Sequence, residues 1–242
     1  MSLRELLSGC IPQDHSRQVN SLYYARHAVR TLTPTTVVDL GCGVGASVDL
    51  FQKLDPGIKW IGVDIRDSQE AHQRTRDDAF VVYYDGTHLP LRDESVPLIY
   101  ARQTLEHVLH PRQVLAEVFR ALIPGGQFVG STSHLEPYHS RSVWNFTPYG
   151  FRTIVEETGL RVLEIRPSID GPTMIRRQYL GNPSEYSRYF ASESPLNAQI
   201  DEWAQREKVS HALINLRKLE FCGQFAFLVE KPRQTKRVKS RG

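Results

Sequence analysis

The sequence predicts a doubly wound α/β domain with a mostly parallel sheet, and two observations carry that prediction. From Thr35 onward, short apolar runs alternate with amphipathic ones, as parallel strands do when crossover helices cover both faces of their sheet. The first run, Thr36-Val37-Val38-Asp39-Leu40, passes directly into the glycine turn Gly41-Cys42-Gly43-Val44-Gly45 and then into a helical pattern. The length agrees: 242 residues, 40% of them hydrophobic and 24% charged, can bury one full core and carry one sizeable insertion.

Each element follows from its local pattern. Val19, Leu22 and Val29 share one helical face, with Tyr23 and Tyr24 alongside, so residues 1–33 read as a helical segment laid against the domain. The core is expected over 34–166. Behind the first strand, Val44, Val48 and Phe51 line a helix that Asp55-Pro56-Gly57 breaks. Trp60–Asp64 is the second strand. Residues 67–78 are almost wholly polar, so a helix there would be exposed and weakly specified. Phe80–Tyr84 and Pro97–Ala101 are the third and fourth strands.

Pro111 suits the first turn of a helix that buries Val114, Leu115, Val118, Phe119 and Leu122 and stops at the turn Pro124-Gly125-Gly126. Gln127–Ser131 is the fifth strand. Thr147-Pro148 is a capping hydroxyl followed by proline, Gly159 is a stop, and Leu160–Ile165 is the sixth strand. Residues 167–220 read as a helical insertion, with Leu196, Ile200 and Trp203, then Val209, Leu213 and Leu216, at helical spacing. Residues 221–231 hold the last strand, Gln224–Val229, and 232–242 read as a disordered basic tail.

Composition narrows the class of function. No run approaches the roughly 18 apolar residues of a membrane span, and the first residues lack an apolar signal-peptide centre, so a cytoplasmic protein is expected. Cys10, Cys42 and Cys222 are too scattered for a disulfide framework or a zinc site. The net charge of +3 includes six cations in the last twelve residues (Lys231, Arg233, Lys236, Arg237, Lys239 and Arg241); without them the rest stands near −3. That tail has no aromatic residue, which favours a solvated end over a nucleic-acid contact.

A glycine turn between strand and helix lets backbone amides approach a ligand, because glycine has no Cβ and tolerates positive φ. Gly41, Gly43 and Gly45 meet that need, but Gly41-x-Gly43-x-x-Ala46 also satisfies the dinucleotide fingerprint. Asp64, 23 residues after Gly41 at the end of the second strand, could accept from two ribose hydroxyls of either kind of nucleoside cofactor, or cap the next helix. The turn and Asp64 leave nicotinamide-dependent redox chemistry open.

Four ordered segments separate the alternatives: Val38-Asp39-Leu40-Gly41-Cys42-Gly43, Tyr84-Asp85-Gly86-Thr87-His88-Leu89-Pro90, Thr104-Leu105-Glu106-His107-Val108 and Pro124-Gly125-Gly126. Together they resemble the class I S-adenosylmethionine-dependent methyltransferases, most nearly the group that includes the ubiquinone and menaquinone biosynthesis enzymes. The resemblance covers roughly residues 35–166, with 224–231 similar to the closing strand. It implies a Rossmann-like sheet of seven strands whose last strand is antiparallel, and S-adenosylmethionine as cofactor. Carried over by position, it implies that Asp39 and the turn Gly41–Gly45 hold the methionine end, and that Asp64, with Ile65 beside it, takes the ribose. Asp85 would accept from the adenine amino group with Gly86 beside the ring, while Arg102 or Gln103 lines the methionine portion. Asp85 before Gly86 is also a good turn former.

The reaction so implied is in-line displacement of an already activated methyl group, for which alignment alone is worth up to roughly 7 to 11 kcal/mol. A hydroxyl acceptor would gain a further ~10²- to 10⁴-fold from a base. His107, His134 and His139 lie near the carboxyl ends of strands four and five, where ligands bind in this architecture, and are the candidates for it. Glu106, His107 and His134 resemble part of the Glu-x-x-Glu-His metal motif of small-RNA 2′-O-methyltransferases. Gln103 replaces its first glutamate, so no metal is expected. Tyr138, His139, Arg141 and Trp144 could wall a pocket for a sugar or a small aromatic, or pack beneath the insertion.

The expected function is therefore methylation, at oxygen, of a small molecule or glycan precursor, with residues 167–220 as a lid. A nucleic-acid acceptor is disfavoured because Ala101-Arg102-Gln103-Thr104 stands where base-methylating relatives carry an Asn- or Asp-Pro-Pro-aromatic element. A non-catalytic cofactor-binding partner subunit, and a homo-oligomer formed through the insertion, remain open.

Overall fold

The alternating pattern folds as its periods require, and the computed structural model describes residues 2–233. After a short α1 (Leu3–Leu6) and α2 (Ser21–Leu32) come β1 (Thr36–Leu40), α3 (Ser47–Leu54), β2 (Lys59–Asp64), α4 (Gln69–His72) and β3 (Val81–Tyr83). Then follow β4 (Val96–Arg102), α5 (Pro111–Ala121), β5 (Leu122–Ser133), α6 (Pro148–Glu156) and β6 (Arg161–Pro167). Three helices, α7 (Gly171–Tyr179), α8 (Pro195–Glu207) and α9 (His211–Phe221), precede β7 (Gln224–Glu230).

The seven strands form one sheet in the order β3-β2-β1-β4-β5-β7-β6. β1 to β5 run parallel, and β7 inserts antiparallel between β5 and β6. Alternation along each strand sends side chains to opposite faces. Val38, Leu40, Ile99, Ala101 and Phe128 therefore pack with Val114, Leu115 and Val118 of α5 and Phe151 of α6, while Val37, Leu98 and Tyr100 pack with Ala25 and Ala28 of α2 and Phe51 of α3. Because β1 and β4 are neighbours whose crossovers leave on opposite faces, a cleft opens beyond their carboxyl ends.

Three sequence readings are corrected. The third strand shortens to Val81–Tyr83, since it lies at the sheet edge and pairs only with β2. The polar stretch 67–78, expected to be exposed and weakly specified, holds only the four helical residues of α4, none of them buried. Pro124-Gly125-Gly126 does not separate helix from strand but lies within β5, where Gly125 N donates to Lys231 O (2.8 Å) and Lys231 N to Gly126 O (2.9 Å). Of the face read from Val19, Leu22 and Val29, only Val29 is buried: α2 starts after Val19 and turns Tyr24, Ala25, Ala28 and Val29 inward, the Tyr24 hydroxyl donating to Glu164 on β6 (2.9 Å).

Helices α8 and α9 carry a small apolar cluster of their own, Ile200, Ala204 and Ile214. Polar side chains knit them to the chain start. Gln18 donates to Tyr189 O (2.6 Å) and accepts from Asn197 Nδ2 (2.6 Å), and Asn215 donates to the carbonyls of Pro12 and His15. Lys218, wholly buried, donates to Glu193, Asp201 and the Ser16 carbonyl at 2.8–3.1 Å. Cys10, Cys42 and Cys222 are buried free thiols. Lys231, counted above with the basic tail, is instead buried against Glu94 (3.0 Å), while residues 234–242 of that tail lie outside the described residues. Among the described residues, no helix is long and apolar enough to cross a membrane.

Candidate active site

The cleft beyond β1 and β4 encloses about 870 Å³. Its floor starts at the glycine turn. Gly41 has φ +70°, and a Cβ there would lie 2.6 Å from Thr104 Oγ1, which itself donates to Leu40 O (3.0 Å). The turn thus closes onto the end of β4 in a way only glycine permits. Asp39 is buried below it, with Ser47 Oγ donating to its carboxylate and Trp60 Nε1 donating to Ser47 (2.8 Å). Burial pushes the Asp39 carboxyl up to about 7.

Asp64, at the end of β2, accepts from Gly43 N (3.0 Å), Ile65 N (2.8 Å) and Arg74 Nη2 (2.8 Å). Burial raises its carboxyl above the usual range despite these donors. Asp85 behaves differently. Its carboxylate accepts from Thr87 N, His88 N and His88 Nδ1 at 2.7–3.0 Å and closes an exposed turn, and these bonds, led by that from His88 N, hold it well below the usual range. Gly86 next to it has φ +90° and open space where a side chain would stand.

Of the residues singled out in the sequence, Asp39, Gly41, Gly43, Asp64, Ile65, Asp85, Gly86, Arg102 and Gln103 all border the cleft. Gly45 does not; its position lies against Ala79 and Arg76 behind the turn. His107, His139 and Arg141 border the cleft from its other side. His134 does not, and opens instead into a neighbouring cavity of about 520 Å³ with Ile175 and Tyr179. Tyr138 and Trp144 are likewise outside the cleft, Trp144 Nε1 donating to Val108 O (2.9 Å) behind the wall.

The side of the cleft that His107 and His139 border holds a polar cluster whose assembly the sequence did not reveal. Glu106, in the short helical turn after β4, and Glu136, in the loop after β5, are both buried, and Ser133 Oγ lies 3.1 Å from Glu106 and 2.5 Å from Glu136 with its one proton between them. Gln224 Nε2 donates to both oxygens of Glu136 (3.0 and 2.9 Å). The Gln103 amide satisfies its neighbours when its nitrogen faces Glu106 Oε1 (2.6 Å) and Glu136 Oε2 (3.1 Å). Burial raises the Glu106 carboxyl to about 7.

His139 Nδ1 lies 3.1 Å from Pro137 O and 3.6 Å from Glu136 Oε1, and its ring stands edge-on to His107 with centroids 5.3 Å apart. Burial, then the His139 ring, lowers the His107 pKa, so His107 is a neutral imidazole at neutral pH. Glu106, His107 and His139 each offer an atom within 4.8 Å of the others, whereas His134 is not in that group. Glu106 stood out in the sequence as part of the Glu-His motif, but its pairing with Glu136, 30 residues on, carried no sequence signal.

Comparison with known proteins bears on this arrangement. Residues 38–130 match the family model described as "Methyltransferase domain". A "Probable S-adenosylmethionine-dependent methyltransferase" of Mycolicibacterium smegmatis is 33% identical over 119 residues, 44% of this chain and 46% of that one. The chain spans about half, or less, of the length of the curated relatives it matches. Among solved structures, the [4+2]-cyclase SpnF is similar with a TM-score of 0.57 at 15% identity, covering 96% of this chain and 94% of that one. A phosphoethanolamine N-methyltransferase of Haemonchus contortus, solved with S-adenosylhomocysteine, gives 0.55 at 16% identity, covering 88% and 52%. These two likenesses are of fold.

Proposed function

We propose that this chain, whose residues 38–130 match the methyltransferase-domain family model, is a class I S-adenosylmethionine-dependent methyltransferase that transfers the methyl group of that cofactor to a hydroxyl of a small molecule or glycan precursor. The observation that carries this reading is one cleft bordered by the glycine turn, Asp39, Asp64 and Gly86 on one side and His107, His139 and Glu136 on the other. Its roughly 870 Å³ lies in the range of small-molecule sites. The residues fit the cofactor: Asp64 offers carboxylate lone pairs suited to ribose hydroxyls, Asp39 an acid suited to an ammonium, and the open space at Gly86 admits a flat ring. The subgroup of quinone biosynthesis enzymes and a cytoplasmic location are part of this proposal, the latter supported by three free thiols.

When bound, the cofactor supplies a methyl group on a sulfonium, which leaves as a neutral thioether. The chain's own residues hold and orient. Arg102 supplies a cation where a carboxylate end would lie, and Gln103 ties the end of β4 to the Glu106–Glu136 pair. The neutral imidazole of His107, or the His139 ring held by its Nδ1 contact to Pro137 O, takes the acceptor proton. His134 is outside the cleft and is no longer a candidate for that role. The [4+2]-cyclase of the same fold is a reason to test transfer directly.

Calorimetry with S-adenosylhomocysteine and with NAD tests the cofactor assignment; heat with the dinucleotide alone would overturn it. Incubation with methyl-labelled cofactor and fractionated small-molecule extracts tests transfer. With the acceptor in hand, His107→Ala or His139→Ala should slow transfer by about 10²-fold or more and leave cofactor affinity unchanged.

A further inference from the structure

The arginine that meets Asp64 lies in the weakly patterned stretch 67–78 and has no sequence signal. Arg74 is nearly as buried as Asp64, each side chain being 7% exposed. Its Nε donates to Gly43 O (2.7 Å), its Nη2 to Asp64 Oδ2 (2.8 Å) and its Nη1 to Tyr83 Oη (3.3 Å). One planar group therefore ties the glycine turn, the end of β2 and the end of β3 together. Asp64 and Gly43 border the cleft, whereas Arg74 does not, so the guanidinium approaches the carboxylate from behind and leaves its cleft side accessible.

We propose that Arg74 is a positioning residue for cofactor binding, holding the Asp64 carboxylate ionised and aimed at the ribose hydroxyls through its fork to Asp64 and Gly43. This rests on the methyltransferase reading above. A carboxylate taken out of water loses its charge unless a cation or donors compensate it. The other groups facing Asp64 do not provide that cation: Glu70 and Asp39 are acids, and Cys42 and Tyr84 are neutral. Two backbone amides and Arg74 therefore share the task, and Arg74 alone carries charge.

Calorimetry of S-adenosylhomocysteine binding to the full chain, from about pH 6 to pH 8, tests this with wild type, Arg74→Met and Arg74→Lys. Arg74→Met is expected to bind about tenfold more weakly at pH 8 and to lose about tenfold more on acidification than wild type does, as Asp64 takes up a proton. Arg74→Lys keeps the charge but not the fork, so it should follow the wild-type pH profile at reduced affinity. A purely structural role would lower the melting temperature without adding pH dependence. If wild type binds and Arg74→Met matches it within about twofold over the whole range, this inference fails alone. If wild type does not bind the nucleoside, both it and the methyltransferase reading fail. Should Arg74→Met not fold, Arg74→Lys still decides: an affinity equal to wild type would overturn the role of the fork.

Discussion

The two sides of the cleft are built by different means. On the proposed cofactor side, Asp39, the glycine turn and Ser47 come from nine consecutive residues, and Asp64 and Asp85 stand at or just beyond the ends of adjacent parallel strands. Strand, turn and helix place those backbones, and Arg74 adds a longer-range side-chain tie, on Asp64 and Gly43, described above. On the proposed acceptor side, Ser133 and Gln103 join Glu106 to Glu136, Gln224 holds Glu136, and behind them α8 and α9 are fastened to residues 12–18 by Gln18, Asn197, Asn215 and Lys218. The first side is fixed by local geometry, the second by polar side chains that meet over separations of up to about two hundred residues. Local geometry resists change at single glycines, whereas long-range polar ties can loosen one region and leave the other intact.

The sharpest test of that contrast is Gly41→Ala. A side chain at φ +70° facing Thr104 should destabilise the fold by about 3 kcal/mol or more and abolish S-adenosylhomocysteine binding, measured by urea unfolding and calorimetry. Retained binding would mean that the turn is more tolerant than its geometry requires.

Lys218→Met should come next. It removes the one cation between Glu193 and Asp201, which are each about one-third exposed, and should cost about 2–3 kcal/mol. Hydrogen exchange should then accelerate over residues 11–20 and 184–221 while the cofactor side stays protected and binding persists. Acceleration spread evenly over the sheet would erase the distinction between the two sides.

A smaller effect compares one buried acid from each side. Asp39 and Glu106 both have carboxyls raised by burial to about 7, so each favours the fold fully below its ordinary value near 4 and loses that contribution as pH climbs through about 7. Stability should fall from about pH 4 to pH 7 on their account. Asp39→Asn or Glu106→Gln should each flatten that slope in urea unfolding. Only Asp39 should also release a proton when the nucleoside's ammonium binds, seen as a buffer-dependent heat in calorimetry. The smallest change serves as the reference: Arg112→Ala breaks an exposed pair with Glu157 and should move stability by no more than about 0.5 kcal/mol.

Legibility in the sequence follows the same division. Gly41, Gly43 and Asp64 were readable from their places at strand ends, Asp39, Asp85, Gly86 and Arg102 only through the family resemblance of the motifs around them, and all of them border the cleft. Asp85 was legible as a position and not as a contact, since its oxygens close the turn to His88. Of three histidines read as equivalent, His134 follows β5 just as His139 does, yet it opens into a different cavity. Arg74 sits in a polar stretch whose pattern marks neither helix nor strand.

The sequence by itself determined the order of strands and helices, the glycine turn and the acidic residues at the carboxyl edge, because period, capping and turn chemistry act within a few residues. Only the tertiary structure decided which donors meet which carboxylates: Arg74 behind Asp64, Gln103 and Gln224 on the Glu106–Glu136 pair, Lys218 between Glu193 and Asp201. Such partnerships depend on which loops packing brings together, and a buried charge accepts any donor the fold delivers to it.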